Sequence, residues 1–261
     1  MIGAIIGDIA GSKYEFNNIR TTDFEIISED CFFTDDTVCT IACMDWLLHA
    51  KQRNEKTAAK YLQKWTRKHP NTGYGARFRN WVFSDNPKPY GSYGNGSAMR
   101  ISPVAWAAKD IKELMELTDA FTRITHNHPE GIKGAFVTAI CVYEALQGKS
   151  KDAIKDHILH AYPGINSFDY EILKKTYCFN ETCQQSVPQA IYCFLISDDF
   201  EDCVKKTISI GGDCDTTSAI SCAIAEAFYK SISPDLIKKA RQKLSSEMIK
   251  IIDEFQLKFC I

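Results

Sequence analysis

Apolar side chains recur at helical spacing along most of this chain, every third or fourth residue. Residues 17–33 and 71–103 lack that periodicity, and 148–186 holds only two shorter amphipathic pieces. The pattern predicts an all-α protein, a compact helical bundle. The helices it predicts cover residues 34–50, 57–68, 103–121, 134–146, 187–194, 200–208, the run after Asp213, and a closing amphipathic helix from Ile237 to Phe255.

The opening segment combines a glycine stripe with two isolated acids. Gly3, Gly7 and Gly11 are four residues apart, which places them on one face of a helix and favours close packing against a second helix. Asp8 and Glu15 are the polar residues that such a buried segment least easily explains.

Two acidic stretches precede strongly apolar runs, one at Thr34 to Thr37 and the other at Gly211 to Thr216. Each is typical of a helix start, where carboxylates complement the helix dipole, and capping alone would explain either stretch. If the two starts meet, their four carboxylates repel one another unless a cation joins them. Oxygen ligands from Asp and Thr favour Mg²⁺, Mn²⁺ or Ca²⁺ over zinc.

Composition limits the classes of protein that this chain can represent. With 261 residues and 45% hydrophobic content, residues 1–261 can bury a sizeable core as a single domain. The net charge of -2 does not favour nucleic acid or an anionic membrane as partner. The apolar start is interrupted by Asp8 and is too short to span a bilayer, so we expect neither a signal peptide nor a transmembrane helix.

Cysteine usage bears on the redox compartment. The eleven cysteines are odd in number and include no CxxC pair. We therefore expect reduced, mostly buried cysteines in a cytoplasmic protein. We also expect a monomer.

Two further stretches carry candidate chemistry. The turn from Gly94 to Ser97 precedes an apolar run, and its backbone N–H groups could bind an anion, although its spacing matches neither GxGxxG nor a Walker loop. His126 and His128 could be read as a metal pair. However, no third nitrogen or sulfur ligand is nearby, and Pro129 indicates a turn before the next helix, so His128 is interpreted as structural.

Taken together, five motifs in this order resemble the ADP-ribosylglycohydrolase family. The resemblance implies the orthogonal helical bundle of that family, with a dinuclear metal centre, and a hydrolase that releases ADP-ribose from an ADP-ribosylated protein or a small-molecule conjugate. The motifs are Gly3–Gly11 followed by Glu15, Thr34–Thr37, Gly94–Arg100, Thr125-His126 and Gly212–Thr216.

The resemblance also implies roles for individual residues. Glu15, Asp35 and Asp36 would be catalytic, with Glu15 acting as acid or base or directing water, and Asp215 would bridge two Mg²⁺ or Mn²⁺ ions. The metal ligands it implies are Thr34, Asp35, Asp36, Asp213, Asp215 and Thr216. The residues it implies for phosphate and ribose are Asn95, Gly96, Ser97 and His126.

Two other functions remain open at this point. One is a non-catalytic module that binds ADP-ribose or a related nucleotide. The other is a dinuclear phosphohydrolase that cleaves the diphosphate, since paired metals also serve that chemistry. The acceptor is equally open, because an arginine, a serine, an acetyl ester or a nucleobase could be attached to the same ribose, through an N- or an O-glycosidic bond.

Overall fold

A computed structural model describes residues 2–259, and helices dominate that range. Within it there is no β-strand, only an isolated bridge between Gly94 and Thr182. The all-α prediction is confirmed. Short 3-10 helices occur at Ser12–Tyr14, Asn95–Ser97 and Pro163–Ser167. The α-helices are α1 Ile2–Gly11, α2 Asp35–His49, α3 Glu55–Lys68, α4 Ala76–Val82, α5 Ser102–Ala107, α6 Ile111–Thr122, α7 Pro129–Leu146, α8 Lys151–Leu159, α9 Tyr170–Thr176, α10 Cys183–Leu195, α11 Phe200–Ser209, α12 Cys214–Tyr229, α13 Pro234–Gln242 and α14 Ser246–Phe259.

The single closing helix predicted from Ile237 to Phe255 is wrong, because this region forms α13 and α14. At the break, the backbone N–H of Leu244 donates to the carbonyl of Arg241, three residues back, at 3.2 Å. The hydroxyl of Ser245 then accepts from the N–H of Met248 at 3.3 Å and starts the next helix. Leu244 remains buried across the break, which explains why the apolar spacing alone does not reveal it.

The centre of the fold is the packing of α1 against α12. Every residue of α1 is buried, and its three glycines face the backbone of α12. A Cβ atom at Gly3, Gly7 or Gly11 would overlap the main chain near Cys222, Ser218 or Cys214 respectively. The two helix backbones therefore approach more closely than side chains would allow, as the glycine stripe predicts.

The remaining helices enclose this pair in one large hydrophobic core, and a small second cluster consists of Leu173, Tyr177, Cys193 and Ile210. Helices α2, α7, α10 and α11 all contact α12, and α14 and α3 cover the outer face of α2. Large side chains fill the layers between them, with Trp46, Trp65, Phe121 and Phe194 all buried. Because the core surrounds α1 and α12, the acidic ends of these helices are held by packing on several sides.

Two absences hold for the part of the chain that the structure describes. Its ten cysteines are all free, and Cys178 is the one that is exposed. No helix between residues 2 and 259 is both long enough and apolar enough to cross a membrane.

The close contact of α1 with α12 predicts that Gly7→Ala destabilises the protein by about 2–3 kcal/mol, near the upper end of the usual cost of overpacking. The better helix propensity of alanine returns about 1 kcal/mol. It is outweighed because the new methyl group meets backbone atoms of Ser218 and Ala219, which cannot rotate away. Urea denaturation measures the difference.

Gly164→Ala is the matched control for this prediction. A Cβ atom at Gly164 meets no heavy atom within 4 Å, so we expect a change of less than about 0.5 kcal/mol. Equal stabilities of the two variants would contradict the packing account.

Candidate active site

The two acidic helix starts meet in the folded chain. Thr34 is the N-cap residue of α2, and Asp213 is the N-cap residue of α12. The hydroxyl of Thr216 donates to Oδ2 of Asp36 at 3.3 Å, across 180 positions of sequence. The positive ends of two helix dipoles are therefore directed at one group of carboxylates, where they partly offset the negative charge.

Two overlapping trios of carboxylates form at this meeting point. One consists of Asp8, Asp36 and Asp215, and the other of Glu15, Asp213 and Asp215. Within each trio, one oxygen of every residue lies within 4.8 Å of the others. Asp215 belongs to both trios, so its carboxylate is the group that connects them.

Burial is the main reason why protons bind these carboxylates more tightly than usual. Burial, together with repulsion by neighbouring carboxylates, raises the pKa of Asp36 and of Asp215 well above the ordinary 3.8. The same causes raise the pKa of Asp35 to about 8 and that of Glu15 to about 7, and burial also raises the pKa of Asp213. The site thus holds more negative charge than its own hydrogen bonds stabilise.

A divalent cation fits this set of donors. Oδ1 of Asp36 is buried and has no hydrogen-bond partner among the described residues, although a carboxylate oxygen in such a place normally has one. The carboxylates of both trios offer oxygen atoms as ligands, which Mg²⁺ and Mn²⁺ prefer. Asp35 lines the same cavity without belonging to either trio.

Asp8 lies among these carboxylates, and sequence reasoning found no role for it. It is fully buried on α1, and its two oxygens accept hydrogen bonds from both the backbone N–H and the hydroxyl of Thr34 and of Thr37. The first turn of α2 is thereby attached to α1. The available signal was an acid within an otherwise apolar and glycine stripe.

Asp8 also decides where the hydroxyl proton of Thr34 lies. The hydroxyl donates to Oδ1 of Asp8 at 2.7 Å, and its oxygen lies 3.4 Å from Oδ2 of Asp36. The same oxygen accepts from the backbone N–H of Asp36 at 3.4 Å, so one of its two lone pairs is already used.

The loop before Asp213 follows a path that glycine permits. Gly211 and Gly212 have φ values of +71° and +79°. The side-chain amide of Asn18 holds this loop through two hydrogen bonds with Gly212. It accepts from the N–H of Gly212 at 2.7 Å and donates to the carbonyl of Gly212 at 2.9 Å. The same amide donates to the carbonyl of Glu15 at 3.0 Å, so one side chain connects the Glu15 segment to the Asp213 loop.

Arg20 supports this loop from the other side. Its guanidinium lies against Gly211 and donates to the carbonyls of Ile210 and Tyr177. Sequence reasoning missed both Asn18 and Arg20, because they lie in an aperiodic segment that carries no motif.

The 3-10 turn Asn95–Ser97 lies beside the carboxylates. Nδ2 of Asn95 donates to Oδ2 of Asp213 at 2.7 Å, so its amide orients an acidic side chain. Ser97 is fully buried, and its hydroxyl donates to the carbonyl of Gly131 at 2.7 Å. A hydroxyl held in this way is not available to a ligand in the cavity, so a contact from Ser97 to a ligand would have to come from its backbone.

A cavity of about 440 Å³ opens above the carboxylates, a volume within the usual range for a small-molecule site. Acidic, basic and aromatic side chains all contribute to its lining. Those that define its character are Glu15, Asp35, Asp36, Arg77, Phe78, Tyr90, Tyr93, Arg100, His126, Phe179, Glu181, Asp213, Asp215 and Thr216, together with the backbone of Gly94, Asn95 and Gly96.

His126 reaches the cavity as a neutral imidazole. The side chain is buried, and burial together with the nearby charge of Arg100 holds its pKa well below the ordinary 6.5. His128 is a structural residue, because its ring accepts a hydrogen bond from the N–H of Glu130 at 3.1 Å and caps α7.

Solved structures share this architecture. The chain superposes on a structure titled "ADP-ribosylglycohydrolase-related protein complex" with a TM-score of 0.72 and 22% identity, covering 97% of this chain and 94% of that one. At this identity the likeness supports the fold. It confirms the helical bundle implied by the resemblance.

Sequence comparisons point to the same family. ADP-ribosylhydrolase ARH3 of Homo sapiens is 27% identical, covering 88% of this chain and 84% of the relative, and that of Mus musculus is 26% identical, covering 88% and 82%. The ADP-ribosyl-[dinitrogen reductase] glycohydrolase of Rhodospirillum rubrum is 26% identical over 64% of this chain and 57% of its own. Residues 1–259 match the profile of the family described as ADP-ribosylglycohydrolase. This chain therefore belongs to the ADP-ribosylglycohydrolase family.

Proposed function

We propose that this protein is a metal-dependent hydrolase that cleaves the glycosidic bond between ADP-ribose and an acceptor and releases ADP-ribose. The substrate is a protein with an ADP-ribosylated side chain or a small-molecule conjugate of ADP-ribose. The observation that carries the proposal is the group of carboxylates around Asp215, which comprises both trios except Asp8 and lines a cavity of about 440 Å³.

Two Mg²⁺ or Mn²⁺ ions are the cofactors proposed for this site. The residues that would hold them are Thr34, Asp35, Asp36, Asp213, Asp215 and Thr216, with Asp215 shared. Asp8 would act one layer further out, since its oxygens are occupied by Thr34 and Thr37. When bound, such ions neutralise the carboxylates, orient ribose hydroxyls and lower the pKa of a coordinated water.

Glu15 is proposed as the acid or base next to the glycosidic bond. It is half-buried and lines the cavity. In the metal-free protein, burial and the charges of Asp213 and Glu181 raise its pKa to about 7. A carboxyl group with a pKa near neutrality exchanges a proton readily with an attacking water or a leaving group. Asn18 would hold this segment in place through the carbonyl of Glu15.

The glycine turn and His126 are proposed to bind the diphosphate and ribose. Gly96 has no side chain, so a ligand can approach its backbone. A Cβ atom there would lie 3.6 Å from Nε2 of His126. Asn95 serves indirectly by orienting Asp213. Arg77 and Arg100 also line the cavity and add the positive charge that an anionic diphosphate requires.

The first test is product release. With Mg²⁺, the wild-type protein is expected to release intact ADP-ribose from at least one member of a panel of arginine, serine and acetyl-ester conjugates, and EDTA is expected to stop the release. Asp36→Asn is expected to weaken Mg²⁺ binding by more than about 100-fold, because changing outer partners alone costs about 10–100-fold. Chromatography identifies the product, and calorimetry measures Mg²⁺ binding.

Asp156→Asn is the matched control, because Asp156 is an exposed carboxylate on α8. It is expected to keep both metal binding and turnover. AMP as the product would indicate a diphosphate hydrolase instead. Tight ADP-ribose binding with no chelator-sensitive turnover of any conjugate would indicate a binding module.

Glu15→Gln separates proton transfer from metal binding. We expect kcat to fall by about 10²–10⁴-fold, the usual contribution of a general acid or base, while Mg²⁺ affinity changes by less than about tenfold. Glu181→Gln is the comparison, because the charge of Glu181 helps to raise the pKa of Glu15. Its pH–rate profile is expected to shift toward lower pH with kcat largely retained. A Glu15→Gln variant with wild-type kcat would contradict this role.

Stability of the metal-free protein is expected to fall as pH rises. The pKa of Asp35 is raised from 3.8 to about 8 in the folded state, so folding binds its proton more tightly than the unfolded chain does. This stabilisation is complete below about pH 4 and is lost as pH rises through about 8. Urea denaturation in EDTA at about pH 5 and about pH 8 measures the loss.

Asp35→Asn is expected to lose less stability over that interval, because it has no proton to release there. Asp156→Asn is expected to follow the wild type, and Mg²⁺ is expected to flatten the wild-type dependence. A wild-type loss no larger than that of Asp35→Asn would contradict the account.

A further inference from the structure

A chain of buried hydrogen bonds ends at His126. Nη2 of Arg100 donates to the hydroxyl oxygen of Thr125 at 2.7 Å, and that oxygen lies 2.7 Å from Nδ1 of His126. All three side chains are almost completely buried, with exposures of 1% for Arg100, 0% for Thr125 and 4% for His126. Bulk water therefore does not reach the hydroxyl group in the middle of the chain.

The positions of the protons fix the donor and the acceptor in each of these hydrogen bonds. A guanidinium has only donors, so Arg100 must donate and Thr125 must accept. The hydroxyl of Thr125 then has one proton left to donate, and Nδ1 of His126 is its hydrogen-bond partner within residues 2–259. A buried hydroxyl without an acceptor is costly, so this proton is directed at Nδ1.

A ring that accepts at Nδ1 carries its own proton at Nε2, because a neutral imidazole has one donor and one acceptor. The imidazole is neutral because burial and the charge of Arg100 lower the pKa of His126. Nε2 lies on the side of the cavity-lining turn, 3.8 Å and 3.6 Å from the positions that a Cβ atom would take at Gly94 and Gly96.

We propose that Arg100 and Thr125 are positioning residues that hold His126 as the Nε2–H tautomer, so that a neutral ring donates a hydrogen bond to an oxygen of the ligand in the cavity. The ligand part rests on the proposed function, with a phosphate or ribose hydroxyl oxygen as the acceptor. The tautomer itself is a property of the protein without ligand.

Neutral donation suits the surroundings of this ring. Arg100 lies close enough to lower the pKa of His126, so a protonated ring would place two buried cations side by side. The Nε2–H tautomer supplies a fixed donor without that cost. With the opposite tautomer, Nε2 would present a lone pair, which repels a phosphate oxygen.

The tautomer can be read directly by NMR in the protein uniformly labelled with ¹⁵N at histidine. Long-range ¹H–¹⁵N spectra distinguish a protonated ring nitrogen from an unprotonated one, and His126→Gln assigns the signal among the six histidines of the chain. We expect Nδ1 unprotonated and Nε2 protonated in the wild type. An Nδ1–H ring in the wild type would overturn the proposal without any variant.

Thr125→Val removes the hydroxyl at nearly constant volume, and we expect the His126 signals to shift to a mixture of tautomers or to Nδ1–H. Thr125→Ser keeps the hydroxyl and is expected to keep the wild-type tautomer. Arg100→Met removes the donor, which lets the hydroxyl turn, and is expected to give a mixture. An unchanged tautomer in Thr125→Val would overturn the proposal.

Thr122→Val is the matched control. Thr122 is another buried threonine near the end of α6, and its hydroxyl has no hydrogen-bond partner among the described residues. Its loss is expected to leave the His126 spectrum unchanged. A Thr122→Val variant that shifted the tautomer as far as Thr125→Val would contradict a specific role for Thr125.

Calorimetric titration with ADP-ribose tests the ligand part. Thr125→Val is expected to raise the Kd for ADP-ribose by about tenfold, the low end for losing a hydrogen bond to a charged group, with Thr125→Ser and Thr122→Val near the wild type. A tautomer that changes while Kd does not would overturn the ligand part. Failure of the wild type to bind ADP-ribose would instead count against the proposed function, leaving the NMR result to decide the tautomer.

Discussion

The structure depends on the burial of several carboxylates in one place. Asp8, Asp36, Asp213 and Asp215 are all nearly inaccessible to water, although each would be far better solvated at the surface. Two helix N-termini, the amide of Asn95 and a few hydroxyl groups offset part of this cost. The raised pKa values of the group show that the compensation within the protein is incomplete. A bound cation could complete it.

Geometry of this quality needs a rigid frame. The glycine stripe of α1 brings its backbone against α12, which sets the distance between Asp8 on one helix and Asp215 on the other. Asp8 then fixes the start of α2 through Thr34 and Thr37. Helices α1, α2 and α12 are thus connected by Asp8 and by the glycine contact. A change in the spacing of these helices would therefore change the distances between the carboxylates.

The cavity combines two kinds of electrostatic environment. Its floor of carboxylates suits cations, whereas Arg77 and Arg100 suit an anion. A molecule that carries a diphosphate and a ribose diol offers oxygens to both. Asn95 connects the two regions, because its backbone belongs to the turn while its side chain holds Asp213.

The sequence by itself determined the helical class, the glycine contact and the two acidic helix starts, because helical spacing and capping are local properties of the chain. Only the tertiary structure decided which residues share one site. Asp8 accepts a hydrogen bond from Thr34 at the start of α2, and Asn18 accepts one from the N–H of Gly212. The buried hydroxyl of Ser97 donates to the carbonyl of Gly131. These relationships join residues separated by tens to hundreds of positions, and they depend on how helices pack. The spacing of residues within a single helix or loop does not predict these distant contacts.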